Sequence, residues 1–394
     1  PTATPAANAL PLHIDAARTG FIADLKLPPL SAVTWRIRTE PSINGGRLNW
    51  PSITDPIVAA GVVYFGDDRG ILRAVHSADG RPVWSHEEGQ RINAATLDED
   101  RIYFTTRAGV GAVNRADGKP AWQFDVEGGA SEAGGVVWPA TDTLFYGGCD
   151  GFLYALDRRT GKPNWKFSLT ADAPADPPGF PGARARIGSD LARPTGVATD
   201  GVTVFQSVFD QSRVVAVDAK TGEKRWSFQA RGWIHPAPTV GDRHVYVGSQ
   251  DRNVYCLDKR TGEKVWSFPT NGRVESRASL ADGRLYIASC DGVLYCLDAE
   301  NGKPVWSYPT EAGDKGNRAI YSAPIVTADA VYFAAGEGQL YAIDRAGGKL
   351  LYKLRPSETS ELFTNPATDG TRIFLTTRAS FDQSGESSVI AVGP

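Results

Sequence analysis

A single hairpin, repeated along the chain, limits the fold more than any other feature. In Leu153-Tyr154-Ala155-Leu156-Asp157-Arg158-Arg159-Thr160-Gly161-Lys162-Pro163-Asn164-Trp165, an apolar run ends in Asp, turns through Thr-Gly and returns to a Trp. The pattern recurs from Val214 through Asp218, Thr221 and Gly222 to Trp226, and from Val254 through Asp258, Thr261 and Gly262 to Trp266. A further copy runs from Leu294 through Asp298, Asn301 and Gly302 to Trp306. Degenerate copies end at Trp84, Trp122 and Tyr352, and a Gly stands four residues before each terminal aromatic. Apolar alternation makes a half-buried strand. Asp bonds the backbone of the turn, and Gly takes a positive φ there.

A second punctuation lies upstream. Asp150-Gly151, Asp291-Gly292 and Gly336-Glu337-Gly338 follow apolar strands such as Leu285-Tyr286-Ile287-Ala288, and Asp-Gly between such strands is a strong hairpin signal. Each unit is thus a four-stranded antiparallel sheet. Units spaced about 40 residues apart predict an all-β propeller. After Tyr352 the chain offers three more strands, around Asn365–Thr368, Arg372–Thr376 and Ser388–Val392, and then ends. The strand Ala32-Val33-Thr34-Trp35-Arg36-Ile37-Arg38 carries its own Trp and is expected to complete the last blade, giving eight. Residues 1–30 read as an N-terminal arm and 31–394 as the eight-bladed propeller. A Pro-, Ala- and Gly-rich insertion lies at about 171–190.

Composition narrows the function classes. Lys plus Arg is 42 and Asp plus Glu 45, a net charge of −3, without the basic footprint of a nucleic-acid binder. No apolar run is long enough for a transmembrane helix. Cys256 and Cys296 share one repeat slot, and Cys149 and Cys290 another. Such slot-sharing predicts buried thiols rather than disulfides. The start, Pro1-Thr2-Ala3-Thr4-Pro5, reads as a processed end or a tether.

These motifs resemble the pyrroloquinoline-quinone-like repeat over about residues 31–394, a resemblance that implies a Trp packed between neighbouring blades. One branch of that group is the quinoprotein alcohol dehydrogenases, which bind the quinone and calcium. Another is the non-enzymatic group similar to the propeller lipoprotein of the outer-membrane β-barrel assembly machine. His13-Ile14-Asp15-Ala16-Ala17-Arg18-Thr19-Gly20 resembles the leader of many secreted bacterial proteins with these repeats. The chain lacks the adjacent Cys pair and the haem motif of the dehydrogenases. The expectation is a protein without a cofactor; pyrroloquinoline quinone and calcium have no support in the motifs.

No nucleophile elbow, zinc motif, phosphate loop or calcium loop is present. Of the five His, His244 reads as a sheet-surface residue and His76 as a turn residue. Candidate ligand-binding residues come from aligning the start of each innermost strand, which should ring one mouth of the central channel. The first slot holds Ile53, Ile92, Gly134, Pro194, His235, Glu275, Tyr321 and Phe363. Two residues later stand Asp55, Ala94, Val136, Gly196, Ala237, Arg277, Ala323 and Asn365. Polar groups gather on one arc: His235, Glu275, Arg277, Tyr321, Asn365 and Asp55, with Trp233 and Arg193 just before their strands. Arg277 would meet an anion, Glu275 and His235 would hydrogen-bond, and Trp233 or Tyr321 would stack. The other reading of this arc is a solvated mouth with paired charges. The insertion, with Phe180, Arg184 and Arg186, is a second candidate.

The sequence thus predicts an exported, periplasmic or extracellular scaffold, without catalysis of its own, that binds another protein or a small ligand. A quinone-dependent dehydrogenase and a sugar- or small-ligand-binding sensor are the alternatives.

Overall fold

A computed structural model of the protein describes residues 19–39, 42–44, 47–49, 53–127, 134–171, 193–310, 319–356, 360–362, 364–379 and 387–394. Each blade is a twisted antiparallel sheet whose strands follow the chain from the channel outward. The sixth shows the plan: Ser279–Ala281 innermost, then Arg284–Ala288 and Val293–Asp298, with Pro304–Pro309 at the rim. The second and third strands are apolar on both sides and buried, because each faces a neighbouring blade; the outer strand alternates with one side in solvent.

Seven such sheets follow one another. The eighth takes Ile373–Ala379 and Ser388–Gly393 from the end of the chain and Ala32–Arg38 from its beginning. Its inner position is shared by Ser360–Leu362 and Ala367–Thr368, which both pair with Ile373–Ala379. The ring is therefore closed by the N-terminal strand, as the sequence predicts. A small hairpin, Ser42–Asn44 with Arg47–Asn49, lies between that strand and the first blade.

The core is a set of layers, one in each seam between blades. One holds Ile57, Tyr64 and Leu72 of the first blade against Ile102 and Phe104 of the second. Another holds Tyr286 and Leu294 of the sixth against Phe333 and Tyr341 of the seventh.

Repeat chemistry fastens these layers. Asp258 Oδ1 accepts the N–H groups of Arg260 and Thr261 at 2.9 and 2.8 Å. The Thr261 N–H holds the Asp258 carboxyl below its ordinary range. In seven seams the terminal Trp donates its indole N–H to a backbone carbonyl of the next blade, at 2.9–3.2 Å; Trp226 to Lys259 and Trp306 to Arg345 are examples. The turn Gly of that next blade lies against the same indole. A Cβ at Gly262 would stand 2.6 Å from the ring of Trp226. The turn glycines thus serve two demands at once, a positive φ and room for a neighbour's Trp.

The remaining seam, between the seventh and eighth blades, has Tyr352 in place of Trp and no Thr-Gly turn opposite it, because the eighth blade's last two strands come from the two chain ends. The arm occupies this seam. Leu27 and Leu30 are buried there among Tyr332, Leu340 and Ile390, and the Leu30 N–H donates to the Tyr352 hydroxyl at 3.2 Å. Further upstream the arm bonds the sixth and seventh blades. Leu280 N–H donates to the Thr19 carbonyl, Val326 N–H to that of Gly20, and Ile22 N–H to that of Val326. The arm is thus part of the packed ring from Thr19 onward; residues 1–18 lie outside the described residues.

None of the four cysteines forms a disulfide. Cys256 and Cys296 are fully buried, whereas Cys149 and Cys290 are half-buried in their hairpin turns, so the expected burial is complete in one slot only. Burial pushes the Cys256, Cys290 and Cys296 thiols up to about 12. His244 is buried against Tyr246 rather than on a sheet surface, since the strand it starts is covered on both sides. His76 closes a turn, accepting the Gly80 N–H at its carbonyl.

Two outcomes check this account. Gly61 has a positive φ but open space around it, so Gly61→Ala should cost only the backbone term, about 1–2 kcal/mol. Gly262→Ala adds overpacking against Trp226, a further ~1–3 kcal/mol; equal shifts in urea midpoint for the two variants would count against the Trp–Gly contact. Cys256, Cys290 and Cys296, held as neutral thiols, should be alkylated at pH 8 only on unfolding. Peptide mapping that found them modified in the folded protein would contradict their raised pKa values.

Candidate functional site

The inner strands all start on one face of the ring, where the connections between blades also pass. Their first residues enclose a cavity of about 380 Å³, to which every blade contributes. The first blade brings Ile53, Thr54 and Asp55, the fifth His235 and Ala237, the sixth Glu275 and Arg277, the seventh Tyr321 and the eighth Asn365. The structure thus gathers six of the eight candidates around one cup. Trp233 and Arg193 stand beside it and are not part of its wall. Phe363 lies outside the described residues.

The second blade departs from the aligned slots. Arg91 and Asn93 line the cup, whereas Ile92 points into the seam between the first two blades. Of that blade's two slots only the second, Ala94, lines the cup. Val136 and Ala323 are likewise core residues rather than lining ones. The arc across the second to fourth blades carries small groups: Ala94, Gly134 and Gly196. At Gly196 the two inner strands nearly touch, and a Cβ would stand 2.2 Å from the Ala237 Cα.

On the polar arc, a hydroxyl between the two slots holds the lining residues in place. Ser276 donates to the Ala288 carbonyl at 2.8 Å and accepts the Ala288 N–H at 3.0 Å. Ser322 does the same with Ala334, and Thr364 with Thr376. Thr54 accepts the Gly66 N–H at 3.0 Å. Each hydroxyl turns back to the second strand and finishes its ladder, so the residues on either side project inward. Glu275 and Arg277 flank Ser276 in this way. The slot alignment missed these hydroxyls, although Thr54, Ser276, Ser322 and Thr364 share one position in the sequence.

The acids of the cup are engaged in its wall. Asp55 accepts both the backbone N–H of Asn365, at 3.0 Å, and its side-chain amide. Asn365 in turn accepts the Ala323 N–H at 2.6 Å, so three blades are joined at this point. Glu275 accepts Gln250 at 3.0 Å and pairs with Arg273 at 3.4 Å.

An aromatic shelf borders the cup. The Phe209 ring lies 4.7 Å from that of Trp233 and meets His235 edge-on at 5.7 Å. The same turn anchors the insertion. Phe209 N–H donates to the Arg193 carbonyl at 2.9 Å, Arg193 N–H to Asp210 at 3.0 Å, and the buried Arg213 guanidinium to the Leu169 carbonyl. Both ends of the excursion are therefore fixed beside the cup. Residues 172–192, with Phe180, Arg184 and Arg186, lie outside the described residues.

Residues 106–180 and 183–392 match the family described as outer membrane protein assembly factor BamB. The chain belongs to that family. Its fold is similar to that of BamB from Moraxella catarrhalis, with a TM-score of 0.68 at 16% identity, over 93% of this chain and 100% of the other. It is also similar to a europium-containing methanol dehydrogenase, with a TM-score of 0.74 at 13% identity over 98% of each chain. For the quinohemoprotein alcohol dehydrogenase of Comamonas testosteroni the TM-score is 0.69 at 13% identity, over 98% of this chain and 80% of the other. No individual curated protein matches the chain at a significant level. The shared ring does not separate assembly factor from dehydrogenase.

The dehydrogenase branch implies calcium, which takes six to eight oxygen ligands. Among the described residues no three His, Cys, Asp or Glu side chains come together. Asp55 and Glu275 stand on different blades, each bonded to its own wall.

Ser276→Ala should leave the buried Ala288 N–H without its partner and cost about 1–3 kcal/mol. A denaturation midpoint identical to that of the parent protein would show that the hydroxyl holds nothing.

Proposed function

We propose that the protein is a non-catalytic binding scaffold that engages another protein through the face bearing the cup. The observation that carries this reading is the state of the cup's acids. Asp55 and Glu275, the carboxylates available there for acid–base work or metal binding, are spent as acceptors that fasten neighbouring strands. What the cup offers a partner is shape, cations and an aromatic border. Family membership supports the same reading, because the matched family is described as an assembly factor. The proposal includes a periplasmic location next to the outer membrane, in keeping with that family. Among the described residues no helix is long and apolar enough to cross a membrane.

A photo-crosslinking residue at exposed His235 should yield a discrete protein adduct in the native host. The same residue at Val265, exposed on the outer strand of the fifth blade, should not. Adducts from Val265 alone, or equally from both, would move the binding surface off the cup. Titration with pyrroloquinoline quinone plus calcium tests the dehydrogenase alternative: no stoichiometric binding is expected, and quinone-dependent alcohol oxidation would overturn the scaffold reading.

A further inference from the structure

Asn is followed by Gly at three places in the chain, Asn44, Asn271 and Asn301; the last two pairs lie wholly among the described residues. Both of these asparagines are exposed, but their surroundings differ. Asn301-Gly302 belongs to the turn before the outer strand of the sixth blade. There the Gly302 N–H donates to the Asp298 carbonyl at 2.8 Å. The Asn301 N–H donates to Asp298 Oδ1 at 3.0 Å, and Asn301 Oδ1 accepts the Lys303 N–H at 2.9 Å. Asn271-Gly272 stands in the connection from the fifth blade to the sixth. The Asn271 N–H donates to Asp291 Oδ2 at 2.9 Å, and the Thr270 hydroxyl donates to the Gly272 carbonyl at 2.7 Å. The Gly272 N–H and the Asn271 side-chain amide have no hydrogen-bond partner among the described residues. The glycine is required: a Cβ at Gly272 would stand 2.3 Å from the Asp291 nitrogen, as one at Gly232 in the preceding connection would stand 2.5 Å from that of Asp251. The asparagine is not required. The residue before Gly232 is Arg231, whose N–H makes the same bond, to Asp251 Oδ2 at 3.0 Å.

We infer that Asn271-Gly272 is a site of spontaneous deamidation, and that the reaction loosens the connection that carries Glu275 and Arg277 into the cup. The Gly272 nitrogen gives its proton to hydroxide and bonds Asn271 Cγ. The Cγ–Nδ2 bond breaks, and the nitrogen leaves as ammonia after taking a proton from water, which restores the hydroxide. Water then opens the five-membered imide. Opening at Cγ leaves Asp; opening at the α-carbonyl leaves isoaspartate, with the main chain routed through Cβ and Cγ. Nothing is oxidised or reduced. Glycine favours the step because it has no side chain to obstruct the approach. At Asn301 the attacking nitrogen and the amide oxygen are both engaged, so the turn must open first. Either product places a carboxylate beside Asp291, which already accepts the Asn271 N–H and the Tyr295 hydroxyl, each at 2.9 Å, and like charges repel. Isoaspartate also lengthens a connection that is fastened just downstream. The Cys290 N–H donates to the Arg273 carbonyl at 2.8 Å, and the Val274 N–H to that of Ser249 at 3.0 Å. Glu275 and Arg277 follow directly on these bonds. The chemistry is independent of what the cup binds.

The test incubates the full chain, folded and in urea, at neutral and at mildly alkaline pH. Peptides containing Asn271 and Asn301 are followed by mass spectrometry, with fragmentation that separates Asp from isoaspartate. In the folded protein Asn271 should convert roughly tenfold faster than Asn301, whose turn must first give up its hydrogen bonds. Both products should form at 271, and the rate should rise with pH because the attacking nitrogen must lose its proton. In urea the two sites should react at similar rates. Asn271→Gln should remove the reaction at 271 and leave the thermal unfolding curve unchanged. The amides of Val274 and Cys290 should lose protection from hydrogen exchange in the converted protein, and lose less of it in Asn271→Asp, which gains the charge without the longer chain. Conversion at Asn271 no faster than at Asn301 in the folded protein, or Asp formed there without isoaspartate, would overturn the deamidation site. Val274 and Cys290 amides equally protected before and after conversion would overturn the loosened connection.

Discussion

The contact between a Trp on one blade and a Gly turn on the next is the constraint from which the ring follows. A four-stranded sheet with both faces apolar cannot stand alone, because the cost of exposing two apolar faces exceeds what its own ladder returns. Each blade must bury both faces, and the indole fixes how. It covers the Gly of the next turn and donates its N–H to that turn's carbonyl, which sets both the distance and the tilt between sheets. Repeated around the chain, one tilt closes a circle. The positive φ of the Gly and the bound Asp make the turn rigid enough to receive the ring.

Where this contact is missing, the chain substitutes another. The eighth blade is assembled from both chain ends, so it has no turn between its last two strands to present a Gly to the seventh. Tyr352 is smaller than Trp, and its hydroxyl faces the arm. Leu27 and Leu30 fill the volume that the indole and turn occupy elsewhere, and the Leu30 N–H takes over the directional bond. The arm is therefore the eighth seam's version of the repeat, built from residues far from the repeat in sequence. Its path along the inner strands of the sixth and seventh blades also covers backbone groups that would otherwise face the channel.

This division explains what the sequence makes legible. Asp258, Thr261, Gly262 and Trp266 recur because each seam imposes the same local geometry, so the blade, the period and the closing strand can be read from residue pattern alone. The cup is less legible because it depends on register at the starts of short inner strands, where no repeat residue is required. In the sixth, seventh and eighth blades the spacing from slot to turn is regular, and Glu275, Arg277, Tyr321 and Asn365 fall where alignment puts them. In the second blade an apolar residue, Ile92, sits in the slot but belongs to the seam. Arg91 and Asn93 on either side of it are the lining groups. The hydroxyls of Ser276, Ser322 and Thr364 are visible in the sequence, yet their meaning is three-dimensional: each bonds a residue twelve positions away. The arm's role is hidden for the same reason, since nothing in Leu27 or Leu30 announces the seam they fill.

The cup has inherited its charges from two different demands, and separating them explains its character. Asp55 and Asn365 sit at the junction of the first and last blades, and their bonds to each other and to Ala323 tie the inner strands of three blades together. Glu275 ties the start of the sixth inner strand to Gln250 of the fifth blade. These groups answer to ring closure, and a ligand that competed for them would loosen the ring. Arg91 and Arg277 stand on opposite walls, and the small residues between them are required by the close approach of inner strands. A propeller built under these constraints leaves a cup whose acids already fasten its wall. On the reading proposed above, the cup serves recognition, which needs only that the donors on its wall keep their places.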